Sequence, residues 1–365
     1  FSFIYPLVEN LYSQFGRPSI DPVVLFKMTM IQYVFGIRSM RQTIKEIETN
    51  VAYRWFLGFG FHTEVPHFST FGKNYVRRFE NTDVFEQIFY CILKEIVEEG
   101  LLSADHIFID STHVKASANK RKFDKKMVRK ETRAYEEKLQ EELNIDREKN
   151  GKKPFPKEKF EKEEFKELKE STTDPESGYY VKDERTKQFA YSFHAATDER
   201  GFVLGAIVTP GNIHDSHILQ PLVEKVIEKV KKPLAVAADA AYKTPAITNF
   251  LLENQMLPVL PYTRPKTKDG FFRKHDYVYD EHNDCYICPN DQMLPYVTTT
   301  KEGYRQFKSN PTICANCPFL KQCTESKNHT KLIQRHIWEA YVEEAEHLRH
   351  HEEIKLIYAK RKETI

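Results

Sequence analysis

The sequence predicts an α/β protein: a mixed sheet flanked by helices, preceded by an all-α N-terminal domain and followed by a small cysteine-rich insert. Three observations carry that reading. Two continuous apolar runs, "IFI" at 107–109 and "LAVAA" at 234–238, suit strands buried on both faces, and an amphipathic helical stretch at 215–230 lies between them as a crossover. Residues 17–100 instead carry helical spacing and repeated helix-start signals. Five of the six cysteines crowd between Cys285 and Cys323. That concentration points to a metal site in a reducing cytoplasm rather than to a disulfide scaffold.

Composition narrows the function classes. With 365 residues, 40% of them hydrophobic, the chain can bury a substantial core and hold two or more domains. Its 55 Lys and Arg nearly balance 53 Asp and Glu, so contact with nucleic acid has to rest on local patches rather than on a global field. No apolar run approaches membrane-spanning length, and the opening "FSFIYPLVENLYSQF" lacks a signal-peptide layout, so a cytoplasmic location without a membrane partner is expected. The first residue is not methionine, which suggests a fragment at the N-terminus.

Taken in order, "DPVVLFKMTMIQYVF" opens with Asp21 as a cap and Pro22 in the first turn. Ser39 caps a second short helix, a break near Thr49-Asn50 introduces a third, and "HFSTFGKNYVRRF" and "TDVFEQIFYCILKEIVEEG" supply two more. Short helices with tight breaks fit a helix-turn-helix region in which Arg38, Arg41, Lys45, Arg54, Lys73, Arg77 and Arg78 meet phosphates. An ordinary bundle with a solvated charged face fits the residues equally well. Residues 1–103 are therefore assigned to a helical domain. The core is expected at 104–118 and 178–269, interrupted by a charged helical insertion at 119–177 that reads as an exposed or mobile arm. Beyond it, "FAYSFHAATD" and "FVLGAIVTPG" read as two strands about the turn 198–201, and a helix starts near Thr244-Pro245. Residues 270–330 form the cysteine insert, and "IQRHIWEAYVEEAEHLRHHEEIKLIYAKRKETI" reads as one long helix occupying 331–365.

Asp110 and Asp239 occupy equivalent places, each ending a buried apolar strand. Ligands of such sheets gather outside the carboxyl ends of the strands. Two carboxylates converging there repel unless a divalent ion joins them, and oxygen ligands suit Mg²⁺ or Mn²⁺. A pair of such ions would activate an attacking oxygen and stabilise the leaving oxygen of a phosphodiester. Lys115 and Lys243 follow the two aspartates as candidate phosphate contacts, with solvated lysines as the equal alternative. "CYIC" (Cys285, Cys288) and "CANCPFLKQC" (Cys314, Cys317, Cys323) offer five thiols on two limbs, a structural-zinc signal in which one thiol is surplus. Cys91 lies on an apolar helix face and reads as core.

In these stretches the chain resembles bacterial insertion-sequence transposases of the DDE class, which have a ribonuclease-H-like catalytic core. The matching residues are "IFIDSTHVKASANK", "STTDPESGYYVKDERTKQFAYSFHAATD", "VTPGNIHDS", "AVAADAAYKT" and "YAKRKETI", with "GRPSIDPVVLFKMTMIQYVFGIRSMRQTIKEI" similar to the helical leader of such elements. The resemblance implies that Asp110 and Asp239 are the first two catalytic carboxylates. It implies metal-dependent cleavage of double-stranded DNA at transposon ends and strand transfer into target DNA by a homodimer or higher assembly. It places His194, His214 and Asp215 near the active site and favours Cys288, Cys314, Cys317 and Cys323 as the zinc ligands, with Cys285 in place of Cys323 as the alternative. It also implies a third carboxylate, a glutamate after a Tyr-x-x-Arg pair. Tyr358 and Arg361 match that pair, and the register places the glutamate just past residue 365. Glu339, Glu343, Glu346 and Glu363 precede that register and read as solvated helix charges. On this basis the 365-residue chain is expected to bind DNA without cleaving it. A non-catalytic DNA-binding relic and a metal-dependent nuclease on the same core are the alternatives.

Overall fold

The structure, a computed structural model, describes residues 1–364 except 14, 16–18, 130–134, 157–159, 161–164 and 265. It divides into two compact units, Phe1–Leu101 and Leu102–Ile365. Among the described residues no helix is long and apolar enough to cross a membrane.

The first unit is helical: α1 (Ile4–Val8), α2 (Pro22–Val34), α3 (Met40–Thr49), α4 (Val51–Leu57), α5 (Phe68–Asn74) and α6 (Val84–Glu98). The expected start signals act locally. Asp21 accepts from the Val23 amide with Pro22 in the first turn of α2, and Ser39 accepts from the Gln42 amide at the head of α3. Asn50 ends α3 and caps α4, accepting from Ala52 and Tyr53, which makes the break between the two helices a single residue. Two apolar clusters hold the unit. One gathers Ile4, Val8, Leu25, Phe26, Phe79 and Val84, the other Met28, Ile31, Ile44, Ile47 and Leu57. α2 supplies both, so it is the helix about which the unit is built. Arg54 belongs to this interior rather than to a phosphate-facing surface. Its buried guanidinium donates to the carbonyls of Gly60, Phe61 and Thr63 and closes the turn after α4. Arg78 contacts Asn74 and stacks on Tyr12, and Arg41 stacks on Phe68, whereas Arg38, Lys45, Lys73 and Arg77 are exposed.

The second unit contains two sheets. The larger comprises β1 (His106–Lys115), β2 (Phe123–Arg129), β3 (Phe165–Ser171), β4 (Gly178–Val181), β5 (Lys187–Thr197), β6 (Val203–Pro210), β7 (Ala235–Ala238) and β8 (Leu257–Val259). Its order is β2-β3-β4-β5-β1-β7-β8, with β6 also on β5. β1 runs antiparallel to β5 and parallel to β7, and β8 continues the parallel part. The mixed sheet read from the apolar runs is therefore present. α8 (Leu219–Lys229) and α9 (Pro245–Glu253) follow the strands as crossovers.

The charged stretch 119–177 departs from its expected form. Rather than a solvated arm, it adds β2 and β3 to the sheet and carries α7 (Glu136–Lys149) between them. Alternating Lys and Glu hid the strands because both lie at the outer, exposed end of the sheet, where period-2 apolar patterning is not required. α7 buries Leu139 and Leu143, and Leu139 packs with Ala246 and Trp338.

The second sheet is formed by β9 (Val278–Asp280), β10 (Cys285–Ile287), β11 (Met293–Thr299), β12 (Tyr304–Lys308) and β13 (Leu332–His336), in the order β13-β12-β11-β10-β9. This second sheet does not join the larger one, and its last strand, β13, lies past residue 330, beyond the expected insert. The single C-terminal helix is corrected too. Its first residues are β13, followed by two helices, here α12 (Glu339–Leu348) and α13 (Glu352–Thr364), broken at 349–351. Two short helices, α10 (Pro311–Ala315) and α11 (Leu320–Cys323), lie between β12 and β13.

His336, at the end of β13, is buried between Tyr304 and Trp338, and its Nδ1 accepts from the Trp338 amide. Gly303, at φ +82°, fits beneath the ring: a Cβ there would meet His336 Nε2 at 2.9 Å and Leu139 at 2.8 Å. Burial pushes the His336 pKa down to about 4. The unfolded chain therefore takes up a proton near pH 6.5 that the folded chain refuses until about 4. Stability is expected to fall by roughly 3 kcal/mol as pH drops through that window. Chemical unfolding of the protein and of His336→Gln at pH 7 and pH 4.5 checks this, with the variant expected to lose most of the pH dependence.

Candidate active site

The register of β1 against β7 creates the site. Ile109 pairs with Ala238, so the next residues, Asp110 and Asp239, emerge side by side where β7 ends and β1 continues. Phe108 and Ala237, two residues earlier on each strand, share one cluster with Ile354 and Ile357 of α13. Alternation along the strands carries Asp110 and Asp239 to that same face. Neighbouring strands lie about 4.8 Å apart, a span that two carboxylates can bridge with one cation. Asp239, still extended in its backbone, also caps the turn 240–242 by accepting from the Ala241 amide at 2.9 Å. Asp110 Oδ1 accepts from the Ser111 amide at 2.9 Å, and Oδ2 pairs with Arg361 Nη2 at 2.9 Å.

On the opposite face a buried polar cluster underlies both carboxylates. Ser111 donates to Asp215 at 3.0 Å. His194, directly across from Ser111 on β5, places Nδ1 3.3 Å from the Tyr242 hydroxyl and Nε2 3.2 Å from Thr209 Oγ1. Burial holds the His194 pKa below its usual value, against an opposing pull from Asp215. The Tyr242 hydroxyl is pushed far up, first by burial, then by Asp215, with Asp110 and Asp239 adding to it and Ser111 partly offsetting it. His194 thus lies on the face opposite Asp110, with Tyr242 and Thr209 as its partners. Asp198 is occupied elsewhere, accepting from the amides of Ser103, Arg200 and Phe202. Sequence reading passed over Tyr242 and Ser111. The available signal was adjacency: each follows a singled-out residue by three positions or fewer.

The other candidates disperse. His214 caps the turn 215–217 through the Ser216 amide. Lys243, nearly buried, is ion-paired with Glu346 and bonds the Pro261 carbonyl at 3.3 Å, so it is not available as a phosphate contact. Lys115 is exposed at the far end of β1, about 17 Å along the strand from Asp110. Tyr358 packs on the cluster beneath the carboxylates, and Arg361 reaches Asp110 one turn later. Three glutamates read as solvated charges prove to be paired: Glu339 with Lys274, Glu343 with Arg335, and Glu346 with Lys243 and Arg349. Glu363 is exposed.

In the second sheet, Cys288, Cys314, Cys317 and Cys323 line one pocket together with Lys331. Asn290 N–H donates to Cys288 Sγ at 3.4 Å, and the Tyr277 hydroxyl lies 3.2 Å from Cys323 Sγ. Burial pushes the Cys323 thiol up, partly offset by Tyr277. Cys285 does not line that pocket. It is buried in β10 beside Tyr286, whose ring turns into the cluster that holds Cys288 and Cys323. Among the described residues, no group of three or more His, Cys, Asp or Glu side chains is arranged to hold a metal ion.

Two family models match the chain. A transposase domain (DUF772) covers residues 1–77, and a transposase DDE domain covers residues 287–365. The second spans the later strands of the cysteine-bearing sheet and the terminal helices; Asp110 and Asp239 lie outside it. No curated protein and no solved structure shows a significant match.

The Arg361–Asp110 contact ties α13 to the sheet, beside the ion pair between Lys360 and Glu199. Both partners of the Arg361 pair are partly exposed, so its net worth is about 1 kcal/mol. Arg361→Met is expected to raise amide exchange across 352–364 while leaving the β1–β7 amides protected. Mass-spectrometric hydrogen exchange reads both segments.

Proposed function

We propose that the chain, with a transposase domain at its start and a transposase DDE domain at its end, is an insertion-sequence DDE transposase and that Asp110 and Asp239 are its catalytic carboxylates. The observation that carries this is their emergence side by side on one face, at the carboxyl ends of parallel strands. The strand order, with antiparallel β6-β5-β1 passing into parallel β7 and β8, supports a ribonuclease-H-like core for the same unit.

The two side chains fit a divalent cation: they are neighbouring oxygen donors, both partly exposed, on one edge. Mg²⁺ or Mn²⁺ bound there would lower the charge cost of attack at a DNA phosphodiester by water or a 3′-hydroxyl. The protein's own part is orientation. Asp239 is fixed by the Ala241 amide and Asp110 by the Ser111 amide, each using one oxygen. The exposed Arg38, Lys45, Lys73 and Arg77 of the first unit are proposed to meet DNA phosphates, in a cytoplasmic, nucleoid-associated protein acting as a dimer or larger assembly on two ends. In isothermal titration the protein is expected to bind Mn²⁺, and Asp110→Asn or Asp239→Asn to weaken that binding at least tenfold. On DNA carrying the element's ends, joined products support transposition, and cleavage without joining supports the nuclease alternative. Mn²⁺ binding indifferent to both substitutions would remove the carboxylates from the mechanism.

The four pocket-lining thiols are proposed to hold structural Zn²⁺. Support comes from their shared pocket, the N–H···S bond to Cys288 and the Cys314-x-x-Cys317 spacing. Four thiolates leave no open position, so the role is to hold the second sheet and not to react. Elemental analysis should find one zinc per chain, retained in Cys285→Ser and lost in Cys317→Ser, with proteolysis then opening the segment 309–331.

A further inference from the structure

Both oxygens of Asp110 are engaged by the protein itself. Oδ1 accepts from the Ser111 amide at 2.9 Å, and Oδ2 meets Arg361 Nη2 at 2.9 Å. A cation that bridges Asp110 and Asp239 therefore has to take an oxygen beside a guanidinium. We propose that Arg361 and the cation compete for Asp110, so that Arg361 sets how tightly the ion is held and the arriving ion frees the end of α13. The proposal rests on the reading of the two aspartates as cation ligands.

Lone pairs alone do not force a choice, because a carboxylate oxygen can take a hydrogen bond and a metal ion together. Charge decides it. An ion about 2.1 Å from Oδ2 lies close to a guanidinium that is itself 2.9 Å from that oxygen. Arg361 and Asp110 are only 17% and 33% exposed, so water screens the repulsion between the two cations incompletely. Arg361 is also weakly held. Its Nε is buried without a hydrogen-bond partner, so the guanidinium has few bonds to keep it in place. What brings it to Asp110 is its helix, on which Ile354 and Ile357 are buried with Phe108 and Ala237, and Tyr358 packs beside them. An ion at Oδ2 can therefore displace the guanidinium while those apolar contacts keep the rest of α13 on the sheet. The effect is reciprocal: a contact that weakens ion binding is weakened by the ion to the same factor. Lys360, the neighbouring cation on α13, is paired with Glu199 instead, so it supplies a control of equal charge on the same helix.

Two measurements on the full chain test the competition. In Mn²⁺ titration, Arg361→Met is expected to bind about tenfold more tightly than the unaltered chain, and Lys360→Met to stay within about twofold of it. In an Asp110→Asn background the gain from Arg361→Met is expected to vanish, since the two groups act through one contact. In hydrogen exchange, Mn²⁺ is expected to raise exchange over 358–364 in the unaltered chain and to raise it no further in Arg361→Met. Affinity unchanged or lowered in Arg361→Met, an equal gain in Lys360→Met, or protection of 358–364 by Mn²⁺ overturns the proposal. Uptake that needs both aspartates but ignores Arg361 overturns the competition alone. Mn²⁺ uptake by neither the unaltered chain nor Arg361→Met, or uptake indifferent to Asp110→Asn and Asp239→Asn, overturns the cation reading and the competition with it.

Discussion

The parallel pairing of β1 with β7 is the constraint on which the site depends. It lasts only from His106 to Ile109, because β7 ends at Ala238 while β1 runs on to Lys115 against β5. Where one strand stops and its neighbour continues, the sheet opens a notch, and the first residue past the shared register on each strand is an aspartate. Burial of the preceding residues makes this register costly to shift. Ile107, Phe108 and Ile109 and all of β7 are buried, and a slip of one residue would send Phe108 and Asp110 to the opposite face. The hydrophobic pattern therefore fixes the position of the two charges.

That logic explains how far the sequence could be read. The strands that carry the site are buried on both faces, and continuous apolar runs such as "IFI" and "LAVAA" announce themselves without help from neighbours. Helix starts were equally legible, since caps at Asp21, Ser39 and Thr244 act within three residues. β2, β3 and the second sheet were not. Their side chains are mixed in character, and their pairing is set by contacts between segments far apart in the chain. β12, for example, pairs with β13 across the segment that holds two of the cysteine limb's short helices. The same division runs through the site. Asp110 and Asp239 were visible because each ends its own strand, while Tyr242 and Ser111 gain meaning only when three segments meet.

The charged insertion shows a further reason why charge pattern alone misleads. α7 was legible as polar, yet its charges are placed against specific partners. Asp146 accepts from Thr299 at 2.6 Å and pairs with Arg305; Arg147 donates to the Thr299 carbonyl at 2.7 Å. Further along the helix, Glu142 accepts from the Trp338 indole at 2.6 Å, and Lys138 donates to Asn249 of α9 at 2.9 Å. One face thus contacts β11 and Trp338, and the same helix reaches a crossover helix of the larger sheet. α7 acts as a strut between the larger sheet and the cysteine-bearing one. Its exposed pairs, Lys138 with Glu142 and Glu253, contribute little stability singly, whereas the Arg305–Asp146 pair is mostly buried.

The terminal helix closes the argument about charge. Two carboxylates set side by side at a sheet edge require positive charge or hydrogen-bond donors from somewhere. Asp239 draws on a turn amide, and Asp110 draws on Arg361. Arg361 is only partly satisfied in return: its Nε is buried without a hydrogen-bond partner. The guanidinium is therefore held at Asp110 by the packing of Ile354, Ile357 and Tyr358 beneath α13 more than by a full set of bonds of its own. The same apolar contacts that seat α13 on the sheet thus set the electrostatics of the notch.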